Sequence, residues 1–177
     1  RNNQLSIPNQ IFRKAKKTDW YQNTLFIITA DHTAQAESNY YKNKLGNYTI
    51  PMLIFHPSDS SLRGNSTILT QHCDIFPTVI DYLGIKDSII CYGNSMLQED
   101  INRFSVNYLN GIFQLIKNDI FLQFDGKDVL SIYDTKKDSL LRNNLVGTGN
   151  QEEYEIFLKA VIQSYQERLS SNDLTLN

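Results

Sequence analysis

Asp31 and His32 are the adjacent residues of this chain best placed to do chemistry. A carboxylate and an imidazole are both metal ligands, and side by side they can turn towards one ion. The plainer reading is an Asp capping the next turn and a His held by local hydrogen bonds. The setting favours chemistry. The pair closes the stretch Thr24–Thr33, TLFIITADHT, just after the apolar run Leu25, Phe26, Ile27 and Ile28. Such a run, bounded by polar residues, reads as a strand buried on both faces. In open α/β sheets, ligands sit beyond the carboxyl ends of strands. A polar, Gly-containing loop, AQAESNYYKNKLGNY, follows the pair, and loops held by rigid strands are where sites are built.

The remaining candidates are weaker. His56 stands before Pro57 where an apolar run exits and reads as a loop residue rather than a ligand. His72 precedes a helix and reads as a hydrogen-bonded packing residue. Cys73 and Cys91 lack metal-type spacing. They read as two unpaired thiols, Cys73 buried as a small apolar residue, with a disulfide between them as the alternative.

The 177 residues suffice for one domain or one and a half. With 41% hydrophobic and 20% charged residues, the composition is that of an ordinary globular chain rather than a disordered one. The net charge is −2 and the densest basic run is RKAKK, residues 13–17, which gives nucleic-acid binding little support. No run has the length of a membrane-spanning helix, and no signal peptide is evident. The chain opens on Arg1 rather than Met, so it is read as a piece of a longer protein.

Several elements must position the pair. Residues 8–19 read as a short amphipathic helix, with Ile11, Phe12 and Ala15 on one face and Pro8 in its first turn. Trp20 and Tyr21 cover the junction into the strand at 24–30. Met52–Phe55 is a second apolar run, and Pro51 marks its start or an edge. The two strands are expected to be parallel, as in an α/β unit. Asp74 caps a helix running to about Leu83, with Pro77 in its first turn and Gly84 as C-terminal cap. Ile75, Val79, Ile80 and Leu83 should face the sheet. Residues 86–103 read as irregular.

Residues 104–134 change character. Asn110-Gly111, Asn118-Asp119 and Asp125-Gly126 separate four alternating runs, which predicts a meander of four antiparallel strands. The last element is a helix over 151–169. Asn150 and Glu153 form its capping box, and Tyr154, Phe157, Leu158, Val161, Ile162, Tyr165 and Leu169 form a wide apolar face against the meander.

Three separated stretches resemble one family. ITADHT is similar to the Asp-His metal motif of the alkaline phosphatase/sulfatase superfamily. HCDIFPTVIDYLG resembles the following sulfatase segment, and the meander with IYDTKKDSLLRNNL resembles the C-terminal subdomain. Within the superfamily, AKKTDWYQNTLFIITADHTA, GNYTIPMLIFHP and RFSVNYLNGIFQLIKNDIFLQFDG look most like lipoteichoic-acid-synthase-like membrane sulfatase proteins.

The resemblance implies an α/β fold: residues 1–103 as the C-terminal part of an alkaline-phosphatase-like α/β/α catalytic domain, residues 104–177 as an antiparallel-sheet-plus-helix subdomain. It implies a metal-dependent phosphoglycerol or phosphoethanolamine transferase, or a sulfuric ester hydrolase, acting on cell-envelope or glycan substrates. Asp31 and His32 map onto metal ligands, with Mn²⁺ first and Zn²⁺, Ca²⁺ or Mg²⁺ behind it. Thr33 stands where several relatives have Gly, and His72 aligns with a His found before the Asp of that helix. The nucleophile and remaining ligands are expected upstream, in the N-terminal half of the same domain. The whole protein is then expected to be extracytoplasmic and membrane-anchored. The alternative is a non-catalytic binding or structural module that kept the fold.

Overall fold

A computed structural model describes residues 6–33, 37–99, 101–149 and 151–175. They divide into two compact units, Arg1–Ser66 and Thr67–Asn177. The sequence instead places the change of architecture at 103/104, where the meander begins.

In the first unit, helix α1 spans Ser6–Ala15 and strands β1 and β2 span Phe26–Thr29 and Met52–Phe55. The strands pair antiparallel, with Phe26 opposite Phe55 and Thr29 opposite Met52. This corrects the parallel expectation. Parallel neighbours need a crossover of about a dozen residues or more, usually helical. The described part of the connection holds a single 3₁₀ turn, Gly46–Tyr48, and no α-helix. The chain therefore folds straight back beside itself.

Nor is β1 buried on both faces. Register puts Phe26, Ile28, Leu53 and Phe55 on one face of the pair. At one end of that face Phe26 and Phe55 stack 4.9 Å apart, and Phe12 meets both rings. Trp20 and Tyr21 also reach Phe26, covering the junction as expected. These rings stop short of the other end, so Ile28 and Leu53, nearest the Asp-His turn, stay 39% and 52% exposed. On α1, Ala15 is buried but Ile11 is exposed, so the helix buries a narrower stripe than its pattern suggests.

In the second unit, a 3₁₀ turn over His72–Asp74 runs into helix α2, Ile75–Tyr82. Asp74 does not cap that helix. Its buried carboxylate accepts from the backbone N–H groups of Gln71, at 3.0 Å, and Asn94, at 2.8 Å. It thereby ties the turn to the strap at residues 91–97. Gly84 does end α2 as predicted, at φ +66°, with bonds from Gly84 N to Asp81 O and Ile85 N to Ile80 O. The buried edge of α2 is Pro77–Thr78, while Phe76 and Leu83 are exposed. Thr78 decides this: its hydroxyl donates to Asp74 O and accepts from Met96 N. A Cβ at Gly93 would lie 2.1 Å from Cys73 O, so only glycine lets the strap cross the turn this closely.

The meander forms as its turns dictate. Strands β3–β6, Phe104–Leu109, Ile112–Lys117, Ile120–Phe124 and Val129–Asp134, lie in chain order, each antiparallel to the next. Asn110, Gly111, Asn118 and Asp119 all have positive φ, as two-residue hairpin loops require. Asp125 closes the third turn by accepting from Lys127 N and Asp128 N. Helix α3, Gln151–Ser170, packs on one face, and Leu115, Leu122, Phe124, Ile132 and Leu158 form a buried core there. Tyr154, Phe157 and Ile162 of α3 pack against it, but Tyr165 and Leu169 are about half exposed, so the helix face narrows towards its end. The proposed cap at Asn150 lies outside the described residues.

Candidate metal site

The Asp-His turn begins where β1 stops. Thr29 Oγ1 donates to Pro51 O at 3.1 Å, which ties the exit of β1 to the entry of β2. Asp31 Oδ1 then accepts from His32 N at 2.9 Å, and Asp31 Oδ2 lies 3.7 Å from His32 Nε2. Two ligands about 2.1 Å from one tetrahedral ion stand about 3.4 Å apart. The pair therefore spans two corners of a coordination shell after closing by a few tenths of an ångström.

The imidazole is already oriented for this. His32 Nδ1 lies 2.9 Å from Thr33 O. A carbonyl oxygen only accepts, so Nδ1–H is the donor in this contact, and in a neutral ring so held Nε2, on the Asp31 side, is the nitrogen left for a metal. Both side chains are open to solvent, His32 at 63% and Asp31 at 88%. Among the described residues, no cluster of three or more His, Cys, Asp and Glu side chains forms. The donor set is one hard carboxylate oxygen and one borderline imidazole, which suits Mn²⁺ or Zn²⁺ better than an all-oxygen ion.

The other titratable candidates are elsewhere. His56 lies at the carboxyl end of β2, which antiparallel pairing puts at the opposite end of the strand pair from Asp31. Its Nδ1 accepts from Ser58 N at 3.3 Å, and it helps line an open cavity of about 250 Å³ with Phe55, Pro57, Leu62 and Arg63. His72 belongs to the second unit and is exposed there, not packed. Cys73 and Cys91 are free thiols, and Cys73 is exposed as a residue, contrary to its expected burial. Partial burial of the thiol itself, then the Asp74 charge, push the Cys73 pKa up to about 11, with Cys91 adding a smaller push.

Two features escaped sequence reading. Lys117 points to the helix-covered side of β4 and is buried. Its ammonium donates to Asn102 Oδ1 and sits 4.7 Å from the centre of the Phe157 ring. Alternation puts it on the Leu115 face, but its charge at a strand end reads as a surface residue. The second is the tie between Thr33 and Asn47. Thr33 N donates to Asn47 O at 3.2 Å, and Thr33 Oγ1 donates to the same carbonyl at 2.8 Å, with Asn47 Oδ1 at 3.2 Å. Only the density of Asn and Gly in residues 43–47 hinted at a structured turn.

Residues 9–85 match a family model described as Sulfatase. The structure superposes on that of a protein in the alkaline phosphatase superfamily from Vibrio parahaemolyticus with a TM-score of 0.75 at 20% identity, over 96% of this chain and 41% of that one. The fold is that of the alkaline phosphatase superfamily. The structure of BT4656 in complex with its substrate D-glucosamine-2-N,6-O-disulfate is also similar, at TM-score 0.58 and 16% identity, over 93% of this chain and 38% of that one. In sequence, 93 residues are 26% identical to the multifunctional alkaline phosphatase superfamily protein PehA of Trinickia caryophylli, covering 50% of this chain and 18% of PehA. The chain thus spans less than half the length of each relative. The sulfatase-matching segment carries Asp31, His32, β1, β2 and α2. The structural likeness extends further, over 96% of the chain, and so takes in the sheet and helix at its C-terminal end.

Proposed function

We propose that this chain contributes Asp31 and His32 to the metal centre of an enzyme that hydrolyses or transfers phosphate or sulfate esters. The observation that carries the reading is the convergence of Asp31 Oδ2 and His32 Nε2, 3.7 Å apart, at the carboxyl end of β1. Asp31 offers a carboxylate oxygen, and His32 offers Nε2 because its Nδ1–H is committed to Thr33 O. Asp31 and His32 would hold a divalent ion, Mn²⁺ by preference, which when bound would supply Lewis-acid stabilisation of the ester oxygens and lower the pKa of a hydroxyl nucleophile. The nucleophile and further ligands come, in this reading, from the N-terminal half of the same catalytic domain.

Within the superfamily, the stretches around the Asp-His turn, β2 and the meander favour a lipoteichoic-acid-synthase-like enzyme. It would transfer phosphoglycerol or phosphoethanolamine, or cleave a sulfate ester, on cell-envelope or glycan substrates outside the cytoplasm. None of the described helices is long and apolar enough to cross a membrane.

The test uses the whole protein from which this chain comes, assayed on aryl phosphate, aryl sulfate and phosphatidylglycerol with and without Mn²⁺. Turnover of one ester class that needs metal and disappears in Asp31→Ala is the expected result. Wild-type rates in Asp31→Ala would refute the site. No turnover of any ester, with metal binding intact, would favour a binding module that kept the fold.

A further inference from the structure

We infer that Thr33, clamped on Asn47, is a positioning residue that sets the tautomer and aim of His32, an inference that rests on the metal reading above. Both side chains of the pair face solvent, and β1 ends two residues before Asp31. An imidazole on such a turn rotates and exchanges tautomers unless something holds the group it bonds to. Here that group is Thr33 O, at 2.9 Å from Nδ1.

Thr33 is held from its other side. Its N–H and its hydroxyl both reach Asn47 O, at 3.2 and 2.8 Å. A single hydroxyl proton serves mainly the shorter bond, and Asn47 Oδ1 at 3.2 Å is secondary. Asn47 is in turn fixed by its own loop. Asn43 Oδ1 accepts from Leu45 N and Gly46 N, and Asn47 N donates to Asn43 O. Gly46 lies so close to Tyr40 that a Cβ there would fall 2.0 Å from the Tyr40 carbonyl oxygen. Tyr40 OH and Thr49 Oγ1 share a further hydrogen bond at 3.1 Å. The loop at 40–49 is therefore a rigid block, and the Thr33 hydroxyl passes its position to the His32 ring. Outer partners that orient a ligating His in this way are typically worth about ten- to a hundredfold in metal affinity.

The experiment needs a readout that does not depend on turnover. In the metal-free 177-residue chain, imidazole ¹⁵N shifts report which ring nitrogen of His32 is protonated. Mn²⁺-induced broadening of the same resonances reports binding, weak binding included. In the wild-type chain Nδ1 should be the protonated nitrogen. Thr33→Val keeps the shape and the backbone bond but removes the hydroxyl. It should mix the two tautomers and raise the Mn²⁺ concentration for half-broadening about tenfold, with the urea midpoint unmoved. Thr33→Ser should restore both signals. Wild-type tautomer and Mn²⁺ response in Thr33→Val, or failure of Thr33→Ser to rescue, would overturn the inference. So would a loss in Thr33→Val that tracks an equal loss of stability. Asp31→Ala separates the two claims. If it leaves Mn²⁺ broadening intact the metal reading fails, and the tautomer shift in Thr33→Val still decides whether Thr33 positions the ring.

Discussion

In the core between the meander and α3, Leu115, Leu122 and Leu158 are wholly shielded from water, whereas in the β1–β2 pair Ile28 and Leu53 remain 39% and 52% exposed beside the Asp-His turn. Both regions are built from antiparallel neighbours with alternating side chains. The difference lies in what covers them. A twenty-residue helix lies along the meander, while the aromatic cluster on the strand pair reaches only the Phe26–Phe55 end. Stability is thus concentrated in the region without candidate chemistry. The candidate ligands sit on a lightly supported turn whose order comes from hydrogen bonds to a neighbouring loop.

That contrast predicts that stability and activity separate by region. Asp31→Ala or His32→Ala in the complete protein should lower turnover by roughly three orders of magnitude or more. Because both side chains are exposed, each should move stability by no more than about 0.5 kcal/mol. Leu122→Ala or Leu158→Ala should do the reverse, costing about 2–5 kcal/mol in urea unfolding. If Leu158→Ala left the unfolding curve unchanged, the buried core under α3 would not be what holds that region together.

Two glycines sharpen the comparison. A methyl at Gly46 meets the Tyr40 carbonyl at 2.0 Å, and one at Gly93 meets the Cys73 carbonyl at 2.1 Å. Both obstacles are backbone and cannot swing aside. Gly93→Ala should cost about 2 kcal/mol or more, because the strap also carries bonds to Asp74 and Thr78. Gly46→Ala should show instead as weaker metal binding, read by Mn²⁺ broadening, with less change in the global midpoint. Equal unfolding costs for the two would remove the distinction between a loop that serves a site and a strap that serves a core.

Smaller effects follow from the charges. With its pKa at about 11 against the ordinary 9.0, folded Cys73 presents roughly a hundredth of the thiolate of a free thiol at pH 8. Its alkylation should be slower than in the urea-denatured chain by up to that factor, measured by mass spectrometry. An equal rate in both states would contradict the burial of the thiol. Least in size is the acid response of Asp134. The hydrogen bond from the Lys137 ammonium, then the Lys137 backbone N–H, hold its carboxyl below the ordinary 3.8. A lowered folded pKa contributes stability above the unfolded value, and that contribution fades as pH falls through the folded one. Between pH 5 and pH 2.5, Asp134→Asn should therefore lose slightly less stability than wild type. A variant with identical acid sensitivity would show that the pair, whose Lys137 end is open to solvent, contributes nothing.

The meander was legible in the sequence because its turns are spelled out residue by residue. Asn-Gly and Asn-Asp take positive φ at low cost, so strand boundaries and register follow from local chemistry. The Asp-His pair was legible for a similar reason: adjacent residues at a strand end share a place in any fold that keeps the strand. Gly84 as the end of α2 is a third case, since only its own φ was at issue.

What local chemistry leaves open, the tertiary structure decided. Strand direction in β1–β2 depends on how a connection of some twenty residues closes, and an apolar run reads the same either way. Burial of Pro77–Thr78 in place of the Leu83 face came from the Thr78 hydroxyl meeting the strap at Met96, eighteen residues on. Lys117 is buried because Phe157 and Asn102 converge on it from distant parts of the chain. The Thr33–Asn47 tie spans fourteen residues and leaves no periodic trace. Sequence alone determined which adjacent residues carry metal-ligating groups and where the antiparallel sheet turns. Folding decided which neighbours hold those residues still, because hydrogen bonds between distant residues are fixed only when the chain closes on itself.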